Sequence, residues 1–478
     1  MTVVTPTWTA GETFKGDPSQ ATAVYAPYDG QLIGHVPAAT LADVNRAVAV
    51  ARDAYRHRVL PAWRRAEILD RAAARLSERI EEFARVIATE SAKPIRTSRI
   101  EAQRAVSTFQ FAAAEARTFT GEMIPLDASS AGEGKLGFTM RVPVGVVGAI
   151  SPFNFPLNLV VHKVAPAIAA GCPVVLKPAG QTPFSAILLA DMLIEECGLP
   201  AEQLSIVTGS GSIIGNAIVE HPDVALLTFT GSPAVGWDIR ARAPRKRVGL
   251  ELGNNAPVII EADGNWLAAA DKIRMAGFSH AGQSCISTQR ILVHSSIAEV
   301  FTEALVARVA TLVTGDPLDE ATEVSTLISK SECTRVHAWI QEAVAQGGKV
   351  VAGGALRADG VLEPTVITDA TPSMKVCSEE VFGPVVAIQA YDDVDQALSI
   401  ANDTAFGLQA AIFTANVNVA LKAIRTLDFG GVLVNEVPTW RADQMPYGGL
   451  RDSGNTREGP AFTIRDMTEL RMVVLSEG

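Results

Sequence analysis

Val144-Gly145-Val146-Val147-Gly148-Ala149-Ile150-Ser151-Pro152-Phe153-Asn154-Phe155-Pro156-Leu157 opens the stretch whose reading decides the fold. The short apolar run 146–150 stops at Ser, Pro and Asn, and a longer apolar segment with helical spacing follows over about 157–170. A brief run rich in Val and Ile, closed by turn residues, reads as a strand buried on both faces. The unit then repeats: strand 173–176 and helix 183–196, strand 204–207 and helix 212–220, strand 225–229 and helix 234–242. Four strand–helix units in series predict an α/β fold with a mostly parallel sheet covered on both faces, the nucleotide-binding architecture.

Outward from this block the pattern changes. Toward the N-terminus, residues 41–113 read as helices, with apolar positions at three- and four-residue spacing in Val44, Ala47, Val48 and Ala51 and again in Ile68, Ala72 and Leu76. Residues 121–140 carry glycine and charge, and 138–142 alternate as an extended chain does. Toward the C-terminus a second block follows residues 248–253, with a strand at 291–293, a helix over 297–313 and further alternation to about 434. The tail from Thr439 is rich in Gly, Arg, Asp and Pro, and ends in an apolar run, 471–475, suited to pairing with a neighbouring subunit. The expected division is a parallel-sheet domain of residues 1–120 and 145–252, a second α/β domain of 253–450, and a small β arm and tail of 121–144 and 451–478.

With 478 residues the chain exceeds what one core supports, and 48% hydrophobic against 19% charged residues describes a well-packed globular protein. A net charge of −11 and only short basic runs, the densest at 240–247, argue against nucleic acid as a partner. Five cysteines, odd in number and without a CxxC pair, suit reduced thiols in the cytoplasm, and the seven histidines form no HExxH, so no metal site is expected. Residues 1–20 have no signal-peptide apolar core. The most apolar region, 142–176, is interrupted by Asn154, Asn158, His162 and Lys163, so no membrane span is expected.

Chemistry concentrates around one thiol. Phe278-Ser279-His280-Ala281-Gly282-Gln283-Ser284-Cys285-Ile286 surrounds a cysteine with small and polar residues, whereas a core cysteine would sit among aliphatic ones. Val248-Gly249-Leu250-Glu251-Leu252-Gly253 is an apolar run with a carboxylate at its centre. Burial there would raise the pKa of Glu251 toward that of a general base; an ion pair with Arg245, Lys246 or Arg247 is the structural alternative. Asn154, between a strand end and a helix, could cap that helix or donate its amide to a developing oxyanion. Gly209-Ser210-Gly211 with Gly215 gives a glycine-rich turn after a strand, one residue longer than the dinucleotide fingerprint. Phe229-Thr230-Gly231-Ser232 places Gly231 and Ser232 at a helix N-terminus, where free N–H groups can hold a pyrophosphate. Lys177 follows a buried strand, where a lysine otherwise only extends its amine toward water.

These motifs, in this order, resemble the aldehyde dehydrogenase superfamily over nearly the whole chain. The resemblance rests on Pro152-Phe153-Asn154-Phe155-Pro156, on Phe229-Thr230-Gly231-Ser232 with Gly236, and on Glu251-Leu252-Gly253, where Asn254 replaces the family's second glycine. It extends to Gly282-Gln283-Ser284-Cys285 and Glu380-Val381-Phe382-Gly383-Pro384. It implies an enzyme that oxidises an aldehyde to the acid with NAD or NADP. Cys285 would be the nucleophile, Asn154 with the Cys285 N–H the oxyanion donors, and Glu251 the activator of water. Lys177 would reach the adenosine ribose, Gly209, Gly211, Gly231 and Ser232 would line the dinucleotide, Glu380 would hold the nicotinamide ribose, and Phe382 would pack beside the ring unless it is ordinary core. Many NAD-preferring members carry a glutamate where this chain has Gly180, which leaves NADP acceptable. The resemblance also implies a homodimer or homotetramer joined through the β arm.

The tail, with Val437-Pro438-Thr439-Trp440-Arg441 and Met445-Pro446-Tyr447-Gly448-Gly449, is similar to the branch of lactaldehyde, phosphonoacetaldehyde and non-phosphorylating glyceraldehyde-3-phosphate dehydrogenases. Members acting on phosphorylated aldehydes often carry arginine before the nucleophile; Ser284 stands there instead, and the bulky Phe155 follows the oxyanion asparagine. A small neutral or hydroxylated aldehyde is therefore expected. The alternative is an anionic aldehyde met by Arg104 and Arg441, each of which could instead be a structural ion pair. A non-catalytic protein on the same fold would be expected to lose Cys285 or Glu251, a CoA-acylating enzyme has no need of Glu251, and a serine hydrolase would need a GxSxG elbow, which is absent.

Overall fold

In the computed structural model, which describes residues 3–476, the chain opens with two small antiparallel ribbons, β1 (Thr7–Thr9) with β2 (Glu12–Phe14) and β3 (Thr22–Tyr25) with β4 (Leu32–Val36). Four helices follow: α1 (Leu41–His57), α2 (Ala62–Glu78), α3 (Ile80–Ser91) and α4 (Ile95–Thr118). Thr40 starts α1 with a reciprocal cap to Asp43, and Val44, Ala47, Val48 and Ala51 form its buried stripe. Then come β5 (Met123–Ile124) and β6 (Lys135–Pro143).

The repeating block forms as its sequence predicts. In order it comprises β7 (Val146–Ile150), α5 (Asn158–Ala170), β8 (Val174–Lys177), α6 (Phe184–Asp191), β9 (Leu204–Ile206), α7 (Asn216–Glu220), β10 (Val224–Thr230), α8 (Pro233–Arg242) and β11 (Arg247–Glu251). The five strands make one parallel sheet in the order β11-β10-β7-β8-β9. The chain runs outward from β7 to β9, then crosses back to place β10 on the other side of β7. A crevice therefore opens beyond the C-terminal ends of β7 and β10, the position at which such sheets bind ligands. Asn154 follows β7 and Gly231 follows β10, so both enter that crevice.

The second block comprises β12 (Pro257–Ile260), α9 (Trp266–Ala276), β13 (Arg290–His294), α10 (Ala298–Val309), α11 (Lys330–Ala345), β14 (Lys349–Ala352), β15 (Thr365–Thr368) and α12 (Lys375–Ser378). It continues through β16 (Val385–Tyr391), α13 (Val394–Asn402), β17 (Gln409–Phe413), α14 (Val417–Thr426) and β18 (Gly431–Val434). Its sheet runs β14-β15-β16-β13-β12-β17-β18, parallel except for β14 against β15. Each sheet buries its own aliphatic core. The strand entries of the second sheet meet the strand exits of the first, for the loop before β13 is bonded to the loop after β7.

The chain ends with α15 (Pro460–Asp466) and β19 (Thr468–Ser476). The strand β19 pairs antiparallel with β6 along its whole length, and β5 completes this third sheet. Two expectations change. The helix expected over 297–313 stops at Val309, where Leu312 turns back onto the Val309 carbonyl. The helix at 212–220 begins as a wide turn, Gly211–Gly215, before tightening into α7. Within the tail, Gly454 bridges Glu251, the Asn455 side chain bonds Leu250 N–H and the Val248 carbonyl, and Ile464 joins the core beneath α5. Only β19 lies in the arm, because the residues before it satisfy the open edge of β11.

Candidate active site

The loop that carries Cys285 is fixed by an unusual backbone. After α9, His280 (φ 50°), Ala281 (φ 52°) and Gly282 (φ 72°) take left-handed conformations in succession. Each non-glycine residue there costs about 1 kcal/mol, a strain that surrounding contacts must hold. At Gly282 a Cβ would overlap the Gly383 carbonyl, so glycine lets the loop lie against the entry to β16. Gln283 locks the turn: its N–H and its side-chain amide both donate to the His280 carbonyl, and its Oε1 accepts from Ile328 N–H at 2.9 Å.

Cys285 emerges half-buried from this loop, its Sγ 2.8 Å from the Tyr447 hydroxyl. Burial pushes the thiol up to about 12, and the Tyr447 hydrogen bond acts the other way. The sulfur borders two cavities, one of about 400 Å³ and one of about 230 Å³.

The larger cavity contains Asn154 and Glu251. The Asn154 amide donates one N–H to the Gln283 carbonyl at 2.9 Å, leaving its second N–H uncommitted. Glu251 is 4% exposed, and neither of its oxygens has a hydrogen-bond partner among the described residues. Burial, then the negative charge of Glu458, holds its carboxyl well above the usual range. The alternative ion pair does not form: Lys246 donates to the Val219 and His221 carbonyls, and Arg247 pairs with Glu469 at 2.6 Å.

The same cavity reaches the residues expected to line a cofactor. Ser232 precedes α8 without capping it, so N–H groups of the first turn stay free beside Gly231. Glu380 accepts from Asn254 N–H at 2.9 Å and occupies space that exists because Gly253 has no side chain; burial pushes it up to about 7. Asn254 thus contributes through its backbone, as the glycine it replaces would. Phe382 stands edge-on to Phe153 at 5.8 Å and faces the cavity rather than either core. An adjoining cavity of about 410 Å³ holds Lys177 and Gly211, with Gly209 (φ 141°) turning the chain just before it. Among the described residues the Lys177 amine donates only to the Pro178 carbonyl, and a side chain at Gly180 or Gly211 would meet open space. Free helix N–H groups, an amine with donors to spare and a half-buried carboxylate around these two cavities fit a dinucleotide.

The smaller cavity on the far side of Cys285 is lined by Arg104, Phe155, His280, Ser284, Arg441 and Tyr447. Arg104 pairs with Asp443 at 2.8 Å and Arg441 with Glu458 at 3.0 Å, so both arginines are ion-paired while facing the cavity. Behind this wall charges alternate. His162 lies 3.2 Å from Asp443, Lys163 lies 3.5 Å from Glu458, and Lys163 also donates to Thr228 and Thr230. Burial opposes ionisation of Glu458, but Lys163, His162 and Arg441 hold it down at about 2.

Tyr447, His280 and the His162–Lys163 pair were not singled out as site residues from sequence. Asn158 and His162 did carry a signal, since polar residues at four-residue spacing in an otherwise apolar helix share one face. Tyr447 carried none beyond its motif, because its role depends on meeting Cys285 across 162 positions of chain.

The chain is similar to known proteins over nearly its whole length. The chain is 46% identical to a 3-sulfolactaldehyde dehydrogenase of Priestia aryabhattai over 450 residues, 94% of each chain. A solved aldehyde dehydrogenase 21 of Physcomitrella patens, complexed with the reaction product succinate, superposes with a TM-score of 0.95 at 39% identity, covering 100% of this chain and 99% of that one. A glyceraldehyde-3-phosphate dehydrogenase of Methanocaldococcus jannaschii complexed with NADP gives 0.91 at 36% identity, over 95% and 99%. Residues 14–473 match the aldehyde dehydrogenase family, and the chain belongs to that family.

Proposed function

We propose that the protein oxidises a small hydroxylated aldehyde to its carboxylic acid, with Cys285 as nucleophile and Glu251 as the base of the hydrolytic half-reaction. The observation that carries this reading is the position of Cys285 at the junction of two cavities, one holding the unpartnered Glu251 and the cofactor elements, the other able to take a substrate chain. Cys285 adds to the aldehyde carbon, and the free N–H of Asn154 with the Cys285 N–H steadies the oxyanion. A bound NAD or NADP supplies the hydride acceptor; Lys177, Gly209, Gly211, Gly231, Ser232, Glu380 and Phe382 would hold it. Glu251 then takes a proton from water, which attacks the thioester and frees the thiol.

A neutral substrate is favoured because each arginine facing the smaller cavity already has a carboxylate within 3.0 Å. One observation supports a second reading, an anionic aldehyde: Nε of both Arg104 and Arg441 lacks a partner among the described residues. The Priestia relative's sulfonated aldehyde carries a hydroxyl and an anionic group together, so a substrate of that kind would fit the hydroxylated and the anionic readings but not a neutral one. The open space at Gly180 leaves room for the 2′-phosphate of NADP as well as for NAD.

Leu470, Met472 and Val474 expose apolar side chains on one face of β19, which supports a homodimer or homotetramer joined there. No helix among the described residues is long and apolar enough to cross a membrane, and five free thiols suit the reducing cytoplasm.

The test is a panel of lactaldehyde, glyceraldehyde, propanal, 3-sulfolactaldehyde and succinate semialdehyde with NAD and NADP in parallel. Cys285→Ala is expected to abolish reduced-cofactor formation with all of them. Glu251→Gln is expected to keep a burst of about one equivalent and then turn over at least about 100-fold more slowly. Undiminished turnover by the first variant, or a linear full-rate time course with the second, would remove the assigned roles.

A further inference from the structure

His280 is 1% exposed, lines the smaller cavity beside Ser284 and Cys285, and neither ring nitrogen has a hydrogen-bond partner among the described residues. Buried polar groups of folded proteins are paired in the great majority of cases, so a ring with both nitrogens idle beside a nucleophile calls for a ligand. The backbone sharpens the point. His280 sits in the left-handed region, where histidine is uncommon, and its carbonyl is held by Gln283, so the main chain is fixed and only the ring is unused. The imidazole stands edge-on to Phe155, another wall of the cavity, at 6.4 Å. Burial, then the nearby Lys93 ammonium, keeps it neutral. A neutral imidazole offers one N–H and one lone pair and can exchange them between its nitrogens, the same pair of capacities a hydroxyl group has.

We propose that His280 determines specificity by hydrogen-bonding a hydroxyl group of the aldehyde substrate through one ring nitrogen. Placed in the wall beside Cys285, it reads a hydroxyl close to the reacting carbon, while Arg104 and Arg441 stand elsewhere in the same wall. This assignment rests on the hydroxylated-aldehyde reading, and it adds the residue that makes the distinction.

The test compares kcat/KM for lactaldehyde and propanal, which differ by that hydroxyl, in the wild type, His280→Gly and His280→Asn. Glycine accepts the left-handed backbone and removes the ring; asparagine tolerates the same backbone and keeps a donor and an acceptor. The wild type is expected to prefer lactaldehyde by about 10- to 100-fold. His280→Gly should bring that ratio to about one, with the larger loss on lactaldehyde, and His280→Asn should retain part of it. The alkylation rate of Cys285 by iodoacetamide, unchanged in both variants, would report an intact loop. A wild type without preference sinks the hydroxylated-aldehyde reading and this assignment with it. A wild type that discriminates and a His280→Gly variant with an equal ratio, including equal loss on both substrates, overturns the assignment alone.

Discussion

Burial raises the Cys285 thiol above its ordinary value and so disfavours the thiolate, which makes its reactivity depend on what faces its sulfur. Among the described residues the Tyr447 hydroxyl, 2.8 Å away, is the one group bonded to it, and the Arg441 guanidinium 3.8 Å above the Tyr447 ring keeps that phenol in place. A hydrogen bond to a charged acceptor contributes about 1.5–3 kcal/mol. Tyr447→Phe is therefore expected to slow alkylation of Cys285 at pH 8 by about 10- to 100-fold and to lower kcat/KM in proportion. Equal alkylation rates in wild type and variant would show that the hydroxyl does not stabilise the thiolate.

Between residues and the molecule stand the loops that join strand to helix, and here Gly282 is decisive. Its left-handed φ and its approach to Gly383 leave no room for a side chain. Gly282→Ala should cost about 2 kcal/mol or more and lower kcat by over about 100-fold, read as Tm and turnover together; a variant with native Tm and rate would mean the loop is not held as described. These elements also show what a sequence can disclose. The strands of the first sheet were legible because a run such as Val146–Ile150 is bounded by its own turn residues, and Glu251 stood out as a charge inside an apolar run. Phe382 could not be told from core until its loop was seen to face the crevice rather than a sheet. Tyr447 and His280 were illegible as site residues because their meaning lies in distances across the chain, set by how two sheets meet.

Over the whole molecule, the tail connects features that look separate. The backbone of Ser453, Gly454 and the side chain of Asn455 are bonded along 248–252, around Glu251, and the same segment continues through α15 into β19. Changing Met472 and Val474 to Lys on the exposed face of β19 is expected to yield monomers in sedimentation, whereas an unchanged mass would place the subunit contact elsewhere. In such monomers the first turnover should give a normal burst and the steady rate should fall. If Glu251 and β19 act as proposed, one strap of backbone links acid release to subunit assembly, and a subunit without neighbours would still take its first aldehyde but be slow to let the product go.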